Sequence, residues 1–215
     1  MPKENLQNIE NKEPSSEEIE YVAVINNEGE VEFEARDKAS NPENDLKRLI
    51  IGLLGFTRNE EGEDCMILQR RSRSKKEYPD HLTFAASGHI NPEDLVEDEV
   101  DFIGAMAREL NEEMGITTIP SLALISSFES REQKEGYPDI RKEMMLGVTQ
   151  IELSQLENFT TTDEVSSYEL IPWEKVLTQV MTDPEDREEK YKFTIPFEQS
   201  ILHLVDTADA LMREP

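Results

Sequence analysis

Three glutamates on one predicted helix are the side chains of this sequence best placed to do chemistry. Glu109, Glu112 and Glu113 stand at positions i, i+3 and i+4, a spacing that puts side chains on one face of a helix. Like charges at that spacing repel one another, so they need either solvent or a cation. Mg2+ takes oxygen ligands, often one or two carboxylates together with substrate phosphates. The spacing therefore indicates a divalent-cation site, and the alternative is a solvated helix face, which runs of charge usually form.

The elements around these glutamates would hold them in place. Residues Phe102–Met114 carry an apolar stripe with helical spacing, and Gly115 is suited to end that helix. The stripe consists of Phe102, Ile103, Met106, Leu110 and Met114. Before the helix come a short predicted strand over residues 82–86, the sequence Ser-Gly-His-Ile over 87–90, and an acidic loop over 91–101.

The rest of the chain alternates between strands and a few helices. A hairpin is predicted over residues 21–25 and 31–35, and the apolar run Leu49–Phe56 favours a strand buried on both faces. A polar loop is expected over residues 129–142. The hairpins beside interleaved helices indicate an α/β layer structure with a mixed sheet. The other predicted strands are 65–69, 122–128, 144–151 and 166–171, and the other helices are 172–181 and 198–212.

Composition limits the possible partners and compartments. The net charge of -26 over 215 residues opposes binding to nucleic acid or to an anionic membrane. Residues 1–19 are predicted to be a disordered acidic tail, and residues 20–215 a single domain. No apolar run approaches a membrane span, no secretory signal is expected at the N-terminus, and the single Cys65 excludes an intramolecular disulfide. We therefore expect a cytoplasmic protein.

The segment Arg108–Ile116 resembles the second half of the Nudix box, R-E-U-x-E-E-x-G-U, where U is a bulky aliphatic residue. The strand, basic loop and Gly-His sequence over residues 67–90 resemble the preceding part of a Nudix domain, in particular the subgroup related to isopentenyl-diphosphate isomerase. The resemblance implies a Nudix-type α/β/α sandwich with a mixed β-sheet. It further implies a Mg2+- or Mn2+-dependent hydrolase that cleaves a diphosphate bond in a nucleoside diphosphate linked to another moiety. Its partner would be a small-molecule diphosphate substrate, and the resemblance also allows pairing with a second copy of the chain.

The resemblance also assigns roles to particular residues. It implies that Glu109, Glu112 and Glu113 bind the metal, together with the backbone carbonyl of Ser87 or Gly88. Glu109 would be a ligand or the general base, and Arg108, Glu109 and Glu112 would form the catalytic centre. Family members often recruit one further glutamate as ligand or base, and the candidates here are Glu143 and Glu164.

One departure from the family pattern concerns the loop before the helix. In the pattern G-x5-E-x7-R the arginine follows the glycine by fourteen positions, whereas Arg108 follows Gly88 by 20 positions. Val100 stands where the first glutamate of the box is expected. This spacing motivates an alternative function, a catalytically weak or inactive ligand-binding or regulatory module. The acidic residues that could replace the missing glutamate are Glu93, Glu97, Glu99 and Asp101.

Three further residues are candidates for substrate binding. Arg71 belongs to a basic cluster over residues 70–76 and could bind phosphate bidentately, or it could pair with the acidic surface. His89 could contact substrate, although a structural role is common for such a histidine. Glu143 is the third candidate. Isomerase activity is not expected, because the isomerases have a cysteine in the strand before Gly-His, where this chain has Ala85-Ala86-Ser87.

Overall fold

The computed structural model describes residues 19–118, 121–133 and 140–213, with the backbone alone described at residue 158 and from residue 208 onward. The tail predicted for residues 1–19 therefore lies outside the described residues, except for its last member. The strands are β1 (Tyr21–Ile25), β2 (Val31–Ala35), β3 (Lys47–Arg58), β4 (Asp64–Arg71), β5 (Leu82–Thr83), β6 (Ala86–His89), β7 (Leu95–Val96), β8 (Glu99–Val100), β9 (Leu122–Glu132), β10 (Ile140–Gln150) and β11 (Val165–Pro172). The α-helices are α1 (Arg36–Ala39), α2 (Phe102–Met114), α3 (Trp173–Val180) and α4 (Ile195–Arg213).

Strand β3 organises a mixed sheet of nine strands. It pairs antiparallel with β1, β4 and β6, and parallel with β10. Strand β2 pairs with β1, β9 with β10, and both β5 and β11 with β4. The parallel pair within an otherwise antiparallel sheet confirms the prediction of a mixed sheet.

Helices cover both faces of this sheet. On one face α2 packs Met106 and Leu110 against Ile51 of β3, and on the other α4 packs Phe197 into a core that includes Leu54 of the same strand. Helix α3 joins the second core through Val176 and Val180. Each apolar side chain removed from water contributes about 1.5–3 kcal/mol, so two cores sharing one strand make β3 the most costly element to disturb. The α/β/α sandwich is therefore confirmed, and so is the burial of β3 on both faces.

Helix α2 has the bounds that the sequence predicts. The side chain of Asp101 caps its start by accepting a hydrogen bond from the Gly104 amide at 2.9 Å. Gly115 ends it in the left-handed conformation, with φ of 70°. Ile103 departs from the predicted stripe because it is 39% exposed.

The predicted acidic loop over residues 91–101 proves to be structured. It begins with a 3-10 turn over Pro92–Asp94 and continues into the hairpin β7–β8. The two-residue turn of this hairpin, Glu97 and Asp98, has φ angles of 51° and 67°. The amide of Asp101 donates to the carbonyl of Asp94 at 2.8 Å, which closes the base of the hairpin. A ladder of two residue pairs is too short to leave a readable alternation in the sequence.

Two other predicted segments also differ from the structure. The polar loop expected over 129–142 is strand at both ends, because charged residues such as Lys142 and Glu132 pair across β9 and β10 instead of facing solvent. The middle of that loop, residues 134–139, lies outside the described residues. The single strand expected over 82–86 is divided into β5 and β6. In the described part of the chain, no helix has the length and apolar character needed to cross a membrane.

Candidate active site

A cavity of about 820 Å³ lies between strands β3, β6 and β10, helix α2 and the segment over residues 74–78. Its volume lies within the range of ordinary small-molecule sites. Three kinds of side chain line it: the carboxylates of α2, a set of arginines and lysines, and the apolar residues Ile50, Phe84 and Met144. In a chain of net charge -26, this cavity collects cations beside its carboxylates.

The carboxylate of Glu113 is buried at the base of this cavity, where the residue is 6% exposed. One of its oxygens accepts hydrogen bonds from the Ser87 amide at 2.9 Å and from Nε2 of Gln69 at 3.0 Å. Gln69 also donates to the carbonyl of Ala85 at 2.6 Å. Helix α2 is thereby tied to the strands on which Gln69 and Ser87 lie, so the position of Glu113 is set by the sheet.

Two largely buried carboxylates that repel one another are costly to ionise. Burial raises the pKa of Glu113 to about 8, and the charge of Glu109 adds to that rise. Burial also raises the pKa of Glu109 to about 7, although the neighbouring Arg108 favours its ionised form. A divalent cation between the two would offset this cost, because its charge favours the ionised form of both.

Gly88 allows the closest approach between strand and helix in the site. A Cβ atom at this position would lie 2.1 Å from Cδ and from Oε1 of Glu109, well inside van der Waals contact. Any larger residue would therefore displace the Glu109 carboxylate. Gly88 therefore stands where the backbone of β6 lies directly against the Glu109 carboxylate.

Arg108 connects the helix to the preceding loop. Its guanidinium makes two hydrogen bonds to Asp94, at 3.0 Å and 2.7 Å, and one to the carbonyl of His89 at 3.2 Å. It also donates to Glu109 at 2.8 Å. Burial would lower the pKa of Arg108, but its hydrogen bonds with Asp94 and Glu109 raise it overall. Arg108 is thus a permanent charge that fixes the loop and screens one of the carboxylates.

Asp94 is the acidic residue of the box that the sequence analysis failed to identify. It follows Gly88 by six positions, the same interval as the first glutamate in G-x5-E. Counting back from Arg108 missed it, because the extra residues lie between Asp94 and Arg108 and form the hairpin β7–β8. Counting forward from Gly88 would have found it. The four candidates named from the sequence do not contact Arg108 in the described structure.

The carboxylates of α2 fit a hard cation by their chemistry, although their present orientation needs adjustment. Among the described residues, no three acidic, histidine or cysteine side chains converge as a set of metal ligands. Glu109 and Glu112 instead form ion pairs with Arg108, at 2.8 Å and 3.3 Å. Glu112 is 56% exposed, so its side chain can rotate toward Glu109 and Glu113 without disturbing the core. Oxygen donors of this kind suit Mg2+.

Most of the other predicted residues line the same cavity. Arg71 does so without an ion pair in the described structure, and its Nε donates to the carbonyl of Glu77 at 3.2 Å. His89 also lines it, and burial together with the charge of Arg48 lowers the pKa of His89 to about 3, which keeps its imidazole neutral. Burial alone would raise the pKa of Glu164, yet a hydrogen bond from Lys75 at 2.6 Å brings it below its usual range.

Glu143 is the predicted site residue that the structure does not bring to the cavity. It pairs with Lys47 at 3.1 Å, while its neighbours on β10, Lys142 and Met144, line the cavity. Successive side chains of a strand point to opposite faces, so Glu143 faces away from the site. The structure therefore gives no support to its predicted role in substrate binding, which stays a prediction. Cys65 is 1% exposed and does not line the cavity either, as expected of a buried structural thiol.

Two cationic residues of the cavity were not identified from the sequence. Arg48 and Lys142 stand side by side on β3 and β10 and are 4% and 7% exposed. Each lies near the start of its strand among other charged residues, so nothing in the sequence distinguished them from ordinary solvent-facing charges. The parallel pairing of β3 with β10, which brings them together, is a long-range feature that no local pattern reports.

Comparison with known proteins identifies the fold of this domain. A family model described as the NUDIX domain matches residues 48–194, a span that includes β6, the inserted hairpin and α2. No curated protein sequence gives a significant match.

Three solved structures illustrate the likeness. DR0079 from Deinococcus radiodurans matches with a TM-score of 0.54 and 17% identity over 86% of this chain and 98% of the other. A NUDIX hydrolase from Alicyclobacillus acidocaldarius matches with a TM-score of 0.53 and 13% identity, covering 74% and 91% of the two chains. The NUDIX domain of Shewanella oneidensis NrtR, crystallised with ADP-ribose, matches with a TM-score of 0.50 and 13% identity, covering 75% and 88%. At these identities the likeness concerns the fold alone.

Proposed function

Because the chain belongs to the Nudix family, we propose that it is a hydrolase that uses Mg2+ or Mn2+ to cleave a diphosphate bond. The substrate would be a small molecule, a nucleoside diphosphate joined to a second moiety. The observation that carries this proposal is the pair Glu109 and Glu113, two carboxylates with raised pKa values at the base of a nucleotide-sized cavity. The guanidinium of Arg71, which forms no ion pair with the described carboxylates, lies in the same cavity and suits a phosphate.

Four groups would hold the metal: the side chains of Glu109, Glu112 and Glu113 and the backbone carbonyl of Gly88. When bound, such an ion neutralises diphosphate oxygens and lowers the pKa of a coordinated water molecule. Gln69 and Ser87 hold Glu113 in place through hydrogen bonds to one of its oxygens. The other oxygen of Glu113 remains free of those two bonds and is the one available to a cation.

Two residues compete for the role of general base. Glu109 lies against Gly88, and burial raises its pKa to about 7 in the absence of metal. A bound cation would favour its ionised form, which is the form that accepts a proton near neutral pH. Glu164 lines the same cavity, but Lys75 lowers its pKa and makes it a weaker base. We therefore assign the proton transfer to Glu109 and an electrostatic role to Glu164. Arg108 is a positioning residue that holds the loop and the helix together through Asp94.

The decisive experiment is a panel of diphosphates incubated with the purified full-length chain and Mg2+ or Mn2+. The panel comprises ADP-ribose, dinucleoside polyphosphates, NADH, nucleotide sugars and isopentenyl diphosphate. Turnover of at least one member is expected, and Glu113→Gln should abolish most of it. Glu174→Gln, an exposed glutamate on α3, is the matched control and should leave turnover unchanged. Full activity in Glu113→Gln would contradict the site assignment.

The same panel addresses the alternative of a binding or regulatory module. That alternative rested on the long interval between Gly88 and Arg108, but the hairpin β7–β8 absorbs the extra residues and leaves the pair of Asp94 and Arg108 intact. The interval alone therefore gives no reason to expect a loss of catalysis. Binding of a panel member without turnover would nonetheless favour the module. The narrower resemblance to the isopentenyl-diphosphate isomerase subgroup stays a prediction.

The two candidate bases can be separated by kinetics. Removing a base that is not a metal ligand should lower kcat and leave the metal concentration for half-maximal activity unchanged. Removing a ligand should raise that concentration. We expect Glu164→Gln to change KM more than kcat, because its charge acts on bound substrate and on Lys75. We expect Glu109→Gln to lower kcat severely, and the reverse ranking would transfer the role of base to Glu164.

A further inference from the structure

The guanidinium of Arg48 is a buried charge that forms no ion pair with a carboxylate among the described residues. Arg48 is 4% exposed and lines the cavity. Its Nη1 lies 3.2 Å from Oγ of Ser40 and 3.5 Å from Nε2 of His89. Its Nη2 has no hydrogen-bond partner among the described residues. The Nη2 side of this guanidinium is therefore without a hydrogen bond in the described structure.

Such an arrangement is costly unless a ligand completes it. A buried charge without a partner loses its hydration and gains nothing in return. Burial lowers the pKa of Arg48, and the acidic residues Glu77 and Glu132 act on it only at longer range, without an ion pair. An arginine retained in this position is therefore expected to bind an anion that enters the cavity.

Lys142 adds a second charge beside the first. It stands directly opposite Arg48 in the parallel pair of β3 and β10, is 7% exposed, and also lines the cavity. Its Nζ lies 3.4 Å from Glu132, which is the one carboxylate that pairs with this basic couple in the described structure. Two buried cations thus stand beside one paired carboxylate, while Glu77, which also lines the cavity, acts on Arg48 without pairing with it.

The basic couple enters the cavity at a different level of β3 from the carboxylates of α2. Ser87, whose amide binds Glu113, pairs with Gly52 on β3, four residues from Arg48. At about 3.3 Å per residue, the backbone of Arg48 lies on the order of 13 Å from that of Gly52 along β3. The side chain of Arg48 spans part of this interval, because its guanidinium reaches His89. A single ligand can therefore extend from the carboxylates to the basic couple.

We propose that Arg48 and Lys142 form a second anion site, which binds a phosphate monoester or a carboxylate on the substrate at a distance from the diphosphate. The inference rests on the proposed function for the location of the diphosphate. It narrows the substrate class to diphosphate compounds that carry a further anionic group beyond the diphosphate.

Matched ligand pairs test this site directly. NADPH and NADH differ by one phosphate monoester, as do coenzyme A and dephospho-coenzyme A, while UDP-glucuronate and UDP-glucose differ by a carboxylate. Binding is measured by calorimetry on the full-length Glu113→Gln protein, in which turnover cannot obscure affinity. At least one anion-bearing member should bind about tenfold more tightly than its partner, the usual effect of a charge-assisted hydrogen bond. The two kinds of pair show whether phosphate or carboxylate is preferred.

The preference must depend on the basic couple. In the Glu113→Gln background, a second substitution, Arg48→Gln or Lys142→Gln, should reduce the tenfold ratio of affinities to near one. The control Arg58→Gln, which removes an exposed arginine paired with Asp64, should leave that ratio unchanged. Equal affinities within all three pairs, no binding of any of the six compounds, or a preference that survives both substitutions would overturn the proposal. Absence of turnover in the wild-type chain, with the binding preference intact, would refute the proposed hydrolase alone.

A stability measurement separates ligand binding from a structural role. If Arg48 stabilises the folded chain, Arg48→Met should have a lower free energy of unfolding than the wild type. If Arg48 serves a ligand, Arg48→Met should be at least as stable without ligand, because an uncompensated charge has been removed. A clear loss of stability in both Arg48→Met and Lys142→Gln would contradict the second anion site.

Discussion

Replacing Glu113 by glutamine should stabilise the chain in the absence of metal while removing its response to Mg2+. Burial raises the pKa of Glu113 from 4.5 to about 8. Each pKa unit corresponds to about 1.4 kcal/mol, so the folded chain loses about 3 kcal/mol at neutral pH and about 5 kcal/mol near pH 9. The glutamine keeps an oxygen for Ser87 and Gln69 but buries an amide group, at a cost of about 1 kcal/mol.

The sign of the pH dependence follows from that raised pKa. Below about pH 4.5 the carboxyl is protonated in both states and contributes nothing. As the pH rises toward about 8, the unfolded chain ionises while the folded chain keeps its proton, so the folded state loses stability relative to the unfolded state. Glu113→Gln should therefore match the wild type near pH 5 and exceed its free energy of unfolding by about 2 kcal/mol at neutral pH.

Urea denaturation in EDTA at several pH values measures this difference, and repeating it with Mg2+ measures the metal response. The wild type should gain stability from Mg2+ and the variant much less, because a ligand that binds only the folded state stabilises it. Glu112→Gln is an informative control: its carboxylate is 56% exposed, so its metal-free stability should change by no more than about 0.5 kcal/mol. A Glu113→Gln protein less stable than the wild type at every pH would refute the argument from burial.

Two further substitutions and one deletion test the parts that support the carboxylates. Asp94→Asn should lower the free energy of unfolding by about 2–3 kcal/mol, because it leaves the guanidinium of Arg108 without its main partner. Urea denaturation measures this change, and an unchanged free energy would show that the pair contributes little. Gly88→Ala should raise the Mg2+ concentration for half-maximal activity about tenfold or more, because the added Cβ displaces the carboxylate of Glu109. Far-UV circular dichroism should be unchanged. An unaltered Mg2+ titration would contradict this expectation. Deleting residues 95–100 should preserve both thermal stability and any metal-dependent activity, since a backbone hydrogen bond of 2.8 Å already joins Asp94 to Asp101. Loss of that activity would show that the hairpin belongs to the site.

The helix that carries the carboxylates could be predicted from the sequence because all the relevant signals are local. The apolar spacing and Gly115 together predict the bounds of α2, and the structure has those bounds and adds the cap at Asp101. The mixed sheet followed from the combination of hairpins with interleaved helices. The short hairpin within residues 91–101 left no such signal, since four ladder residues cannot establish a period.

The errors at the site arose from long-range pairing. Which of two neighbouring residues on β10 faces the cavity depends on the register of that strand against β3, so Glu143 was chosen although Lys142 is the residue that lines it. Arg48 was missed for the same reason, because its burial results from strands far away in the sequence. Asp94 was missed because a fixed interval was counted from the wrong end of an insertion.

The closed base of the hairpin β7–β8 has a consequence for how such chains evolve. Because Asp94 and Asp101 are joined by a backbone hydrogen bond, sequence between them can grow or shrink without moving either the acidic residue or the helix that follows. Chains that differ in loop length at this position can therefore keep the carboxylates of α2 in the same arrangement. A motif search that requires constant spacing across this point would discard such chains, whereas one that permits a gap there would retain them.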